Sequence, residues 1–76
     1  MEENNGKFYR LNDIIILVGR DLIDYAISVF ESIDVTERWF NSPIPSLGYK
    51  KPYEICKENK SQVYDVLGKI EYGVYS

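Results

Sequence analysis

The chain has 76 residues, 45% hydrophobic and 28% charged, with twelve acids against nine bases; that is enough apolar material for one small domain and too much for a disordered tail. A domain of this length hides only about 60% of the surface its unfolded chain exposes, so its stability is modest. Residues 1–33 hold six acids and three bases and residues 34–76 six of each, so neither half offers the clustered cations that binding to duplex phosphates requires.

Residues 1–11 are expected to form a flexible N-terminal segment, and residues 12–76 a single helical domain. From about Asn12 or Asp13 onward, Leu22, Ala26, Val29 and Ile33 recur at spacings of four, three and four. Ile23, Ile27 and Phe30 widen that stripe, which predicts one amphipathic helix or two in tandem, with Gly19 as the break. Asp34 followed by Glu37 resembles a capping box and predicts a new helix over residues 35–41, with Trp39 as a core anchor under the next loop. Pro43 and Pro45 forbid helix and make residues 42–50 a rigid loop, in which Gly48 supplies a turn. Pro52 suits the first turn of a short helix reaching about Lys57, with Ile55 and Cys56 on its buried side. Ser61 is the expected N-cap of a last helix whose core stripe is Val63, Leu67, Ile70 and Val74, with Val66 at its edge. The fold class is therefore all-α, a small compact bundle of four to five short helices with a proline-containing loop.

The last helix carries a second pattern. Tyr64, Gly68 and Tyr72 stand at i, i+4 and i+8 with Tyr75 nearby, a face of aromatics around a glycine notch. A glycine inside a helix costs roughly 1 kcal/mol relative to alanine. Close approach of a partner would justify that cost, and so would close approach of another helix in the same domain. Gly73 is placed to end the helix in a left-handed cap. The residues that would clasp Val74 in such a cap are Lys69 and Gly68, poor apolar partners, which turns the tip toward the core or toward another molecule. Seven tyrosines fit an interface, where tyrosine is enriched; Tyr25 and Tyr53 are expected to cover the core, and Arg38 to lie on the surface.

Chemistry of the chain's own finds little support. There is no histidine and only one cysteine, Cys56, so an internal disulfide, a His-containing zinc site and a His-dependent nucleophile are all excluded. Asp21 with Asp24 and Glu54 with Glu58 are carboxylate pairs at helical spacing on which nothing else converges. No catalytic residue, cofactor or metal is expected. The longest apolar run, residues 14–18, is far short of the roughly 20 residues that span a bilayer, and the acidic N-terminus is unlike a secretory signal. A cytoplasmic protein is expected.

The order Arg38-Trp39, then Ser46-Leu47-Gly48, then Lys51-Pro52-Tyr53-Glu54, and finally Leu67-Gly68-Lys69-Ile70-Glu71-Tyr72-Gly73-Val74-Tyr75-Ser76 resembles the toxin-binding C-terminal domain of the bacterial MbcA/ParS/Xre antitoxins. The resemblance runs from about Ala26 to the end. It implies an antitoxin that binds a RES-domain toxin, an enzyme that degrades NAD or uses it for ADP-ribosylation, and blocks the active site with its C-terminal tail. Carried onto this chain, the partner-binding residues would be Tyr64, Gly68, Lys69, Tyr72, Gly73, Val74, Tyr75 and Ser76, with Arg38 at the margin; the carboxylate of Ser76 would meet the cations of a pyrophosphate pocket. The sequence departs from the family pattern at Ile44, Tyr49 and residues 58–60, which bears on loop shape. Many members carry a helix-turn-helix domain ahead of this module, and the short stretch before Thr36 leaves no room for one, so direct DNA binding is not expected of this chain alone. A homodimer or a higher hetero-oligomer with the toxin would be compatible with the tyrosine face. The alternative reading is an accessory or dimerisation module of a transcription regulator.

Overall fold

The computed structural model describes residues 8–73. Across them run α1 (Leu11–Val18), α2 (Arg20–Phe30), α3 (Ile33–Phe40), a 3₁₀ turn (Pro45–Leu47) and α4 (Pro52–Glu71). Among the described residues the only β pairing is an isolated antiparallel bridge between Ile44 and Lys50. The expected small all-α bundle with a proline-containing loop is the fold adopted.

Gly19 decides between one N-terminal helix and two. Its φ of +98° lies where residues with a Cβ are strained, and its amide still donates to the Ile15 carbonyl at 2.8 Å, so α1 closes there and α2 sets off in a new direction. The second helix ends at Glu31, which takes a left-handed conformation (φ 56°, ψ 33°) while its amide donates to Ile27. That reversal corrects the predicted stripe: Ile33 does not continue it but opens α3, and is 58% exposed.

The start of α3 also corrects the capping box read at Asp34 and Glu37. The cap is Ser32, whose Oγ accepts from the Val35 amide at 3.1 Å, two residues earlier than expected. Glu37 is engaged elsewhere. Its Oε2 accepts from the Leu11 amide at 2.7 Å and from Arg10 Nε at 3.4 Å, satisfying one of the first-turn amides of α1 that no intrahelical carbonyl can reach. One turn further on, Asn41 accepts from the Tyr9 amide at 2.8 Å and donates to the Tyr9 carbonyl at 2.9 Å. Glu37 of α3 and Asn41, the residue that caps its C-terminus, thus clasp the backbone just ahead of and at the start of α1, and Tyr9 meets Tyr53 edge-on, ring centres 4.7 Å apart.

Helix α4 is two helices in one. Pro52 opens it in the first turn, and Asn59 interrupts it with a non-helical backbone (φ −153°, ψ 82°). Asn59 Oδ1 accepts from the Gln62 amide at 3.3 Å and from Ser61 Oγ at 2.8 Å. The N-cap of the last helical stretch is therefore Asn59; Ser61, the expected cap, sits inside the first turn and donates to it.

Ile14 and Val18 of α1, Leu22, Ile23 and Ala26 of α2, Phe40 of α3, Ile44 and Leu47 of the loop, and Tyr53, Ile55, Val63, Val66 and Leu67 of α4 form one core, each large side chain contributing about 1.5–3 kcal/mol by leaving water. Phe40, with no exposed surface, is the aromatic anchor. Trp39, predicted for that role, is half-buried at the core's edge, its ring 5.6 Å from Phe30 and 5.0 Å from Phe40. The one buried polar side chain among the described residues, Thr36, donates to the Ser32 carbonyl at 2.8 Å.

Candidate partner-binding face

Because α4 turns Val63 and Leu67 into the core, residues 64, 68 and 72 fall on another side of the helix. There Tyr64, Asp65, Gly68, Lys69 and Tyr72 line a shallow groove of about 290 Å³. Tyr72 is 78% exposed. Lys69 and Asp65, one turn apart, face each other at 3.8 Å on the exposed flank, a pairing worth a few tenths of a kcal/mol.

The lining residues belong to α4 and its C-cap, Tyr72, and α2 braces them from beside through a contact that sequence reasoning did not foresee. Tyr25, expected as a core cover, stacks on Tyr64 with ring centres 5.7 Å apart and planes at 21°. Its hydroxyl donates to Glu71 Oε1 at 2.8 Å, tying the end of α4 to α2. The hydroxyl passes beneath Gly68, 3.6 Å from where a Cβ would lie. That is ordinary contact distance, so the domain's own packing leaves room for an alanine and does not by itself demand the glycine. No local pattern links Tyr25 to Tyr64 across 39 positions; only tertiary packing brings them together.

At the end of α4 the Tyr72 amide donates to Gly68 and the Gly73 amide to Ile70, each at 3.1 Å. Gly73 has φ +72°, the left-handed cap read from the sequence, so the chain turns off the helix axis beside Tyr72. Val74, Tyr75 and Ser76 lie outside the described residues. Arg38 is exposed on α3, and no residue of α3 lines the groove.

Hydrogen bonding to Glu71, followed by burial, pushes the Tyr25 hydroxyl above its ordinary pKa, and burial followed by the Asp21 charge does the same to Tyr64. Both rings are neutral at physiological pH. Burial pushes the Cys56 thiol up to about 11, partly opposed by Lys60, so it is no nucleophile at neutral pH. Among the described residues no cluster of three or more His, Cys, Asp or Glu side chains could hold a metal ion, and no helix is long and apolar enough to cross a membrane. A larger hollow of about 370 Å³ lies between Arg10, Leu11, Asn12, Ile33, Asp34 and Glu37. Of its two carboxylates, Glu37 already serves the clasp on α1.

Residues 26–73 match the family profile of the antitoxin Xre/MbcA/ParS C-terminal toxin-binding domain. The chain belongs to this antitoxin family. No curated protein and no solved structure shows significant similarity to it. In this antitoxin the matched stretch takes in the end of α2, all of α3, the proline loop and α4, and so contains the whole groove and Gly73. A toxin-binding domain has a toxin as its partner and binding as its task, in agreement with a surface that offers shape and aromatic contact.

Proposed function

We propose that this antitoxin neutralises a RES-domain toxin that degrades NAD or uses it for ADP-ribosylation, by docking through the tyrosine groove and covering the toxin's active-site cleft with its C-terminal tail. The carrying observation is the continuity of Tyr64, Gly68, Lys69 and Tyr72 with the left-handed turn at Gly73: the face runs up to the point where the chain leaves its helix, which supports a partner that meets both the face and the last three residues. Tyr72, Gly73, Val74, Tyr75 and Ser76 are the blocking element, with the Tyr75 ring suited to a nicotinamide-sized space, and Arg38 is a marginal contact. The setting is the bacterial cytoplasm, where NAD is available to the toxin.

Deleting Val74, Tyr75 and Ser76 and measuring NAD consumption by the toxin tests the blocking role. The expected result is at least a tenfold weaker inhibition with the bundle's melting temperature unchanged. Full inhibition by the shortened protein would remove the tail from the mechanism. Retained binding after Tyr64→Ala and Tyr72→Ala together would remove the groove.

A further inference from the structure

The loop between α3 and α4 holds a residue in a conformation that its own side chain opposes. Gly48 has φ +69° and Tyr49, directly after it, φ +62°. Glycine enters the left-handed region freely, whereas a bulky aromatic residue there is a genuine outlier and carries strain.

The turn enforces this backbone. The Tyr49 amide donates to the Ile44 carbonyl at 3.0 Å, the Lys50 amide to Leu47 at 3.3 Å, and the Ile44 amide to Lys50 at 3.1 Å, while Ile44 and Leu47 are buried beneath. The ring itself is 73% exposed, so it contributes little burial to the fold that strains it. A side chain that is costly where it stands and nearly idle within its own domain is explained by use outside it, as strained backbone positions at ligand clamps commonly are.

We infer that Tyr49 is a second anchor for the toxin, inserting into an apolar pocket rimmed by carboxylates that pair with the exposed Lys50. This rests on the toxin-binding reading and adds to it a contact outside the groove and the tail. The occupant is argued from three observations. The loop lies within the residues that match the toxin-binding domain. The 3₁₀ turn Pro45–Leu47 packs on α4, the same helix that carries the groove. The loop is already fixed by its bridge and its buried residues, so seating the ring requires little ordering, which is what makes a tyrosine an effective anchor.

The experiment compares the full chain with its Tyr49→Gly, Tyr49→Phe and Tyr49→Ala variants. Calorimetry measures binding to the product of the adjacent reading frame, purified as a catalytically inactive variant, and thermal melts are run on each antitoxin alone. Tyr49→Gly is expected to keep or raise the melting temperature, since relief of strain outweighs the added chain entropy, and to weaken binding at least tenfold. Tyr49→Ala should weaken binding to a similar extent, and Tyr49→Phe should stay within a few fold of the parent. Undiminished affinity of the glycine and alanine variants, with the parent binding tightly, would overturn the anchor and leave the toxin reading standing. No binding by the parent would overturn both. Concentration-dependent self-association of the parent that Tyr49→Gly abolishes, with toxin affinity unchanged, would assign the ring to a second copy instead.

Discussion

Gly68 is where the needs of the fold and those of the proposed partner can be told apart by experiment. The nearest atom to an added methyl is the Tyr25 hydroxyl at 3.6 Å, and the backbone there is helical, so Gly68→Ala is expected to stabilise the isolated domain by about 1 kcal/mol through helix propensity. For a domain of this size that is a rise of about 4–8 °C in melting temperature. The same methyl raises the floor of the groove between Tyr64 and Tyr72, so toxin affinity should fall. A melt and a binding titration on one variant check both halves; a lowered melting temperature, or unaltered affinity, would contradict the assignment. Gly19 offers the contrast. Its φ is +98° and a Cβ would stand 2.9 Å from Lys60 Nζ, so there the requirement is internal to the fold.

At the scale of the elements, the break in α4 rests on Asn59. Asn59→Ala removes the acceptor for the Gln62 amide and the Ser61 hydroxyl, and is expected to cost about 1 kcal/mol, within the usual range for a lost N-cap. A shift of the urea midpoint at constant slope would register it, and no shift would show that the cap is dispensable. The division of this helix was legible in the sequence, as were the break at Gly19, the rigid proline loop, the Val63/Leu67 stripe and the glycine cap at Gly73. The caps themselves were misplaced for a physical reason. Asn59 and Ser61, like Ser32 and Asp34, are competing capping residues two positions apart, and the winner is fixed by where packing makes the backbone leave the helix. Glu37 misled because its carboxylate answers an amide of α1, 26 positions earlier, for which local sequence has no signal. The same holds for the candidate site: the groove face of α4 could be read from spacing, whereas the Tyr25 that braces it and its bond to Glu71 could not.

For the molecule as a whole, small size makes stability and binding hard to separate. A partner that binds only the folded state adds RT ln(1 + [L]/Kd), about 2.7 kcal/mol at one hundred times Kd; at about 4–8 °C per kcal/mol that raises the melting temperature on the order of 10–20 °C. Thermal melts with and without toxin measure this, and an unchanged value at saturating toxin would exclude that partner. The clasp formed by Glu37 and Asn41 carries a further consequence, for transplantation. The family match begins at Ala26, yet Ile14, Val18, Leu22 and Ile23 of the core lie ahead of it, and α3 grips the chain at Tyr9 and Leu11. The segment that marks kinship and the segment that folds are therefore different lengths. A chimera built from the matched residues alone would leave a carboxamide and a carboxylate reaching for a missing backbone and would uncover the apolar side of α4, so a working graft has to start before Tyr9.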